Sequence, residues 1–170
     1  MAAGKTYEPI ATTTLGSATA SVTFSNITGS YTDLILISNI KSGNADQPSV
    51  VVNINDTFTD ELYSGTMFYG TGSSSTSNRT SNQNVGLILR NGGLSTNTSM
   101  TQVFITNFLN YSNSTTFKVF TSRGEVSDVL TETNVGLWRS TSAITKIRVA
   151  GTPGSFALGS TFTLYGIAAA

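Results

Sequence analysis

The stretch SVVVNIN, residues 49–55, carries the clearest structural signal in the chain. Val50, Val52 and Ile54 recur at every second position, with other residues between them. A period of two is typical of a β-strand that buries one face. These residues therefore predict a strand, and their pattern is a template for the rest of the sequence.

The same alternation recurs along the chain, for example at Val103 and Ile105 and at Phe162 and Leu164. Turn-forming sequences such as KSGNADQP, RNGG and AGTPGS separate the apolar segments. Helical periodicity is nearly absent, and one helical turn at residues 57–62 is the single candidate. Many short strands with regular turns predict an all-β fold, a sandwich or a barrel. We expect ten or eleven strands, at residues 7–14, 21–24, 33–39, 49–55, 66–69, 85–90, 100–107, 116–122, 131–139, 144–149 and 161–167.

The length and composition fit one folded domain with a polar, weakly charged surface. The 170 residues include 28 Thr, 23 Ser and 14 Asn, against nine basic and nine acidic side chains. β-Branched hydroxyl residues suit the exposed side of a strand. We predict a β-sandwich domain over residues 7–170, preceded by a flexible N-terminal arm over residues 1–6.

Charge and residue usage argue against several functions. The net charge is zero and the basic residues are scattered, which does not fit a nucleic-acid partner. Because cysteine and histidine are absent, thiol nucleophiles, imidazole bases and the usual zinc ligands are absent too. No apolar run approaches the ~20 residues of a membrane helix. The sequence thus predicts a protein that is not an enzyme, needs no cofactor and binds neither metal nor membrane.

Asp56, Asp60 and Glu61 form a small acidic cluster. Their oxygens are of the type that binds calcium, but the cluster lacks the dense carboxylate spacing and central glycine of a calcium loop. We interpret it as a solvated loop.

Glu125, Asp128 and Glu132 are also close in sequence. A pair of carboxylates across a cleft hydrolyses glycosidic bonds, but this spacing brings them together only on a helix. The β-branched residues between them favour a strand, and surface charge is the preferred interpretation.

Six Asn-x-Ser/Thr triplets have the form of glycosylation acceptors. A chain so rich in Asn, Ser and Thr produces such triplets by chance. They begin at Asn26, Asn55, Asn78, Asn97, Asn110 and Asn113.

The most unusual segment is GTGSSSTSNRTSNQN, residues 70–84, which has no apolar side chain and one charge, Arg79. We predict a long loop, either displayed outward, in contact with a neighbouring subunit, or disordered. Tyr63, Phe68 and Tyr69 lead into it, and exposed aromatic side chains beside amide-rich loops suit a glycan or a subunit contact. Core packing beneath the loop is the preferred interpretation of these residues, and the glycan or subunit contact is the alternative.

Arg79 and Lys5 are further candidates for a partner contact. Phe108 and Tyr111 lie at a predicted turn, and Trp138 either closes one end of the core or lies in an interface.

Four segments, taken in order, resemble a known family. They are YEPIATTT (7–14), FSNITGSYTDLIL (24–36), GLWRSTSAITKI (136–147) and LYGI (164–167), with a Ser/Gly-rich insert after MFYG. This order is similar to that of small virion proteins of tailed bacteriophages, prominently those that infect cyanobacteria. The resemblance covers almost the whole chain and implies a jelly-roll-like β-sandwich, commonly a homotrimer, without catalytic residues.

Two functions follow from the resemblance. The first is a capsid decoration, or cement, protein, made in the host cytoplasm, that binds the major capsid protein on the assembled head. The short sequence without a shaft favours it. The alternative is a receptor-binding module of a tail fibre or spike that recognises a host-surface glycan through Tyr63, Phe68 and Tyr69.

Overall fold

The computed structural model describes residues 6–43, 47–58, 60–90, 92–127 and 129–168. All of the predicted N-terminal arm except Thr6 lies outside these residues. Twelve strands are present in this part of the chain, and none of its residues is helical. The described residues contain no helix that could cross a membrane. The strands are β1 (Tyr7–Thr14), β2 (Ser21–Phe24), β3 (Asp33–Ile40), β4 (Ser49–Ile54), β5 (Tyr63–Gly70), β6 (Ser75–Gln83), β7 (Gly86–Leu89), β8 (Gln102–Leu109), β9 (Lys118–Val126), β10 (Leu130–Trp138), β11 (Ile147–Thr152) and β12 (Thr161–Ile167).

The strands form two antiparallel sheets. The larger has the order β1-β12-β3-β8-β9-β10-β5-β6, and the smaller has the order β2-β11-β4-β7. Strands β1 to β4 alternate between the sheets and pair with β12, β11, β8 and β7 respectively. A long antiparallel ribbon rolled up in this nested way is a jelly roll. The predicted all-β, jelly-roll-like sandwich is confirmed.

Two hairpins enlarge this arrangement. The β5–β6 hairpin lies between β4 and β7 in the chain, and the β9–β10 hairpin between β8 and β11. Both add to the same edge, so the larger sheet has eight strands where the nested ribbon alone supplies four. Strands β9, β10 and β5 still contact β7 of the smaller sheet.

The core lies between the two sheets. Burial alternates strictly along β3, β8 and β10, so the inward side chains of each strand are inaccessible to solvent. The ring of Phe120 occupies space left by Gly86 and Gly136, where an added Cβ would overlap the ring. The largest inaccessible side chains are Trp138, Tyr63, Tyr111, Phe104, Phe108, Lys118 and Phe120.

The prediction of a long loop at residues 70–84 is wrong. Strand β6 occupies Ser75–Gln83 and pairs with β5, and only Thr71 to Ser74 connect the two strands. The Thr71 N–H donates to the Ser74 carbonyl oxygen over 3.0 Å. Strand β6 is an edge strand, and both of its faces are largely exposed. Hydrogen bonds to β5 hold it in the sheet, so its sequence shows no alternation of apolar residues.

The helical turn proposed for residues 57–62 is also wrong, because none of its described residues is helical. Asn55 and Asp56 instead adopt positive φ angles of 52° and 58°, which form a tight turn at the end of β4. Asn and Asp tolerate this conformation better than most residues.

Candidate functional site

Tyr63 is not available as a contact residue. Its side chain is 1% exposed, and its hydroxyl oxygen accepts a hydrogen bond from the Ile54 N–H over 2.7 Å. Thr57 Oγ1 lies 3.2 Å from the same hydroxyl. Burial raises the pKa of Tyr63. The proposed role in glycan or subunit contact is therefore wrong for this residue, which belongs to the core.

Phe68 and Tyr69 are neighbours on β5 and therefore point to opposite faces of the larger sheet. Phe68 is 54% exposed and lies opposite Thr133 on the larger sheet, whereas Tyr69 is half-buried. Phe68, Ser77 and Thr131 line a shallow depression of about 500 Å³ on the outer face. An exposed ring bordered by hydroxyl groups has the chemistry of a sugar-stacking surface.

Arg79 lies on the same face of the larger sheet as Phe68, one outward-facing pair further along β5 and β6. Arg79 is exposed on β6 opposite Thr66, and it lines a second open depression of about 340 Å³ that also includes Val135 and Arg139. Lys5 lies outside the described residues. Among the predicted contact residues that the structure describes, Phe68 and Arg79 thus share the outer face of the larger sheet, and Tyr63 does not.

Phe108, Tyr111 and Trp138 are core residues, not interface residues. All three are nearly inaccessible to solvent. Trp138 packs at the end of the sandwich beside Tyr63, its pairing partner on β5.

Glu125 and Glu132 lie on opposite faces of the larger sheet. Glu125 is exposed on the outer face of β9, whereas Glu132 is 3% exposed on the inner face of β10. Glu132 accepts hydrogen bonds from the Arg90 N–H over 2.9 Å and from Asn134 Nδ2 over 2.7 Å. Asp128 lies outside the described residues. Glu132 is a buried acceptor for hydrogen bonds, so the expectation of surface charge holds for Glu125 and is wrong for Glu132.

The acidic cluster does not form a metal centre in the described part of the chain. Asp56 is paired with Lys146, with 2.6 Å between Oδ2 and Nζ. Across the described ranges, no three acidic side chains are grouped as ligands.

Four of the six glycosylation-type asparagines, Asn55, Asn78, Asn97 and Asn113, accept backbone hydrogen bonds through their side chains. Asn55 Oδ1 accepts from the N–H groups of Thr145 and Lys146, both over 3.0 Å. Asn113 Oδ1 accepts from the Thr115 N–H over 2.7 Å. The amides of Asn55 and Asn113 hold turns in place, which accounts for asparagine at these positions.

One surface feature was not predicted from the sequence. On the outer face of the larger sheet, strands β3, β8, β9 and β10 present apolar side chains away from the core. Ile37 lies opposite Ile105, and Val119 lies opposite Leu137. We call this surface the sheet patch, defined by Ile35, Ile37, Ile105, Val119, Val135 and Leu137.

A sequence signal for the sheet patch did exist. Residues 34–37 read LILI, so both faces of β3 are apolar. Strands of this kind are typical of sheets that are covered on both sides. In the described chain the smaller sheet covers one side only.

Comparison with known proteins gives little further information. No protein-family model and no curated protein matches the chain. Among solved structures, exo-inulinase from Aspergillus awamori is similar with a TM-score of 0.42 and 13% sequence identity. The similarity covers 95% of this chain but 29% of that chain. A likeness at this level does not indicate a shared activity.

Proposed function

We propose that the protein is a non-catalytic virion component, a capsid decoration protein that assembles as a homotrimer and binds the major capsid protein on the assembled head of a tailed bacteriophage. The sheet patch is the observation that carries this proposal, because it provides a large surface for self-association. The sequence resemblance given above supplies the virion context.

The whole outer face of the larger sheet, with the sheet patch on its four central strands, is large enough for a stable interface. Eight strands spaced about 4.8 Å apart span about 34 Å, and strands of about eight residues are about 25 Å long. The face therefore offers about 800 Å², which is the area that each partner contributes to a standard interface. Apolar side chains at its centre stabilise association by leaving water.

The charges on this face also suit contact between identical chains. Arg123 lies opposite Ile105, and Glu125 follows two residues later on the same face. A second copy can therefore place an acidic group against a basic one. Three such faces around a threefold axis shield one another from solvent.

The proposed mechanism is stabilisation by mass action. A protein that binds the assembled capsid, but not the free subunits, lowers the free energy of the assembled state. No proton transfer or bond cleavage is required, which agrees with the separation of Glu125 from Glu132.

The oligomer is tested by light scattering coupled to size-exclusion chromatography. The expected mass is three times the 17.9 kDa of one chain. V135E places a charge in the sheet patch, at a position that is 42% exposed and thus tolerant in the monomer. We expect V135E to be monomeric, and T23E, on an exposed position of the smaller sheet, to remain trimeric.

A monomeric wild-type chain, or a trimeric V135E, would refute the role of the sheet patch. The virion role is tested separately by locating and counting copies of the protein in cryo-electron microscopy maps of the phage that encodes it. Many copies at threefold positions on the head support decoration, and copies confined to the tail contradict it.

A second candidate function is glycan recognition in a tail fibre or spike, favoured by the exposed ring of Phe68 in its depression. The test is binding to an array of bacterial surface glycans. F68A should abolish binding if the depression is the site, while F117A, which removes another exposed ring, should leave binding unchanged. If both variants bind glycans as the wild type does, this depression is not the glycan site.

A further inference from the structure

The smaller sheet carries a depression on its outer face, on the opposite side of the sandwich from the sheet patch. Its volume is about 300 Å³, which is the lower end of the range for small-molecule sites. Val51 and Ala150, paired across β4 and β11, line it together with Val85 and Phe58. The lining is largely apolar and has room for a group the size of one sugar ring.

Arg148 is the cationic residue of this depression. Its Nε donates a hydrogen bond to Ser21 Oγ over 3.1 Å, and its guanidinium carbon lies 5.1 Å from the centre of the Phe58 ring. These two contacts hold the side chain in position. No carboxylate lines the depression, and Lys146–Asp56 is the ion pair formed within the described ranges.

The terminal nitrogens of Arg148 thus have no acceptor in the described part of the chain. A guanidinium group presents paired N–H donors whose geometry matches the two oxygens of a carboxylate. Partial burial beside an aromatic ring strengthens such a pair relative to one in open solvent. The depression therefore favours a ligand with a carboxylate.

Asn53 adds a second unsatisfied group. It pairs with Arg148 across β4 and β11 and is only 2% exposed. Its Nδ2 donates to the Asn84 carbonyl oxygen over 3.4 Å, but its Oδ1 is buried and has no hydrogen-bond partner. A buried acceptor without a donor is unfavourable. A hydroxyl group of a ligand would supply the missing donor after a small adjustment of the amide.

We propose that this depression binds an acidic sugar unit, of the uronic acid class. The ligand carboxylate pairs with Arg148, a ring hydroxyl donates to Asn53 Oδ1, and the apolar face of the ring lies against Val51 and Ala150. The site goes beyond the assembly role proposed above and does not depend on it. Because it lies on the other sheet, it stays open when the sheet patch is covered.

An acidic sugar fits these groups better than an acidic side chain of a protein. A glutamate or aspartate side chain would occupy Arg148 alone and leave the apolar floor and Asn53 unused. A sugar ring carries the carboxylate, the hydroxyl donors and an apolar face on one rigid body, so it meets all three features at once.

The test is a titration of the full-length, isotope-labelled protein followed by two-dimensional NMR of its backbone amides. Sodium glucuronate should shift amide signals around Arg148, Asn53 and Phe58. Glucose, which lacks the carboxylate, should not. R148Q removes the charge and should weaken glucuronate binding by about tenfold or more.

Two further variants test whether the ligand binds in this depression. A150L fills the floor without changing the charge and should block binding, whereas F117A, which removes an exposed ring outside the depression, should leave it unchanged. Absence of shifts with glucuronate, or unchanged affinity in both R148Q and A150L, would overturn the proposal. N-acetylglutamate binding as tightly as glucuronate would assign the site to an acidic protein side chain and would equally overturn it.

Discussion

The indole Nε1 of Trp138 donates a hydrogen bond to Thr57 Oγ1 over 3.2 Å. The same threonine hydroxyl donates to the Ile54 carbonyl oxygen over 2.7 Å. One side chain in the turn after β4 thus joins the end of the smaller sheet to the last residue of β10. The contact satisfies the polar atom of a large core residue, which would otherwise be buried without a partner.

T57V should destabilise the protein by about 1–3 kcal/mol, because the valine leaves the indole N–H without an acceptor in a buried site. Urea unfolding followed by tryptophan fluorescence measures the change directly, since Trp138 is the only tryptophan. T57S keeps the hydroxyl and should retain most of the stability. Equal losses in T57V and T57S would show that the hydrogen bond is not the cause.

E132A should cost more stability than its small change in volume suggests. Removal of the carboxylate leaves the Arg90 N–H and Asn134 Nδ2 without this acceptor inside the sandwich. An unsatisfied buried donor costs about 1–3 kcal/mol. The measurement is the free energy of unfolding in urea.

The matched control is E125A, which removes a carboxylate from the outer face of β9. An exposed substitution of this kind changes stability by about 0.5 kcal/mol or less. A result in which E125A is as damaging as E132A would contradict the assignment of the two faces.

G136A should destabilise the protein by about 1–3 kcal/mol through overpacking. The new methyl group would overlap the ring of Phe120, which lies between the sheets. Thermal unfolding should show a lower Tm for G136A, while G16A, whose Cβ meets no neighbouring atom within 4 Å, should differ little from the wild type.

A second comparison identifies the cause. In the double variant G136A/F120L the smaller side chain relieves the overlap, so the two losses should not add. Strict additivity would mean that Gly136 is required for a reason other than room for the ring.

The stability of the protein should rise with pH in the alkaline range because of Lys118. This side chain is 1% exposed, and its Nζ donates to the carbonyl oxygens of Thr116 and Thr141 over 2.8 and 3.1 Å. Burial lowers its pKa below the ordinary value of 10.5. Above the native-state pKa the unfolded chain binds more protons than the native one, so stability increases as the pH rises toward 10.5.

K118M removes the titrating group and should remove this part of the pH dependence. The measurement is the difference in unfolding free energy between wild type and K118M as the pH rises from neutral to just below 10. Tyr63, whose pKa is raised by burial, acts in the opposite direction above pH 10, so the comparison stays below that value. A constant difference would contradict the prediction.

The bounds of five strands were predicted to within one residue. Strands β1, β2 and β12 have the predicted bounds, and β3 and β4 differ from them by one residue. Strand β6 was not predicted because both of its faces are exposed and its residues are polar. Its backbone pairing with β5 does not depend on apolar side chains, so the sequence pattern does not indicate it. The predictions of contact residues were correct only in part. Phe68 is exposed and Tyr63 is buried, although both are aromatic and lie five positions apart.

The sequence by itself determined the all-β class, the positions of most strands and the lack of histidine and cysteine chemistry, because alternation and composition are local properties. Tertiary structure decided which strands are neighbours and which face of each is covered. It placed Glu125 outside and Glu132 inside, and it left the sheet patch uncovered while bringing Arg148 beside Asn53 and Phe58. These outcomes depend on contacts between residues that are far apart in the chain. Such contacts stabilise the protein only once the jelly roll has folded.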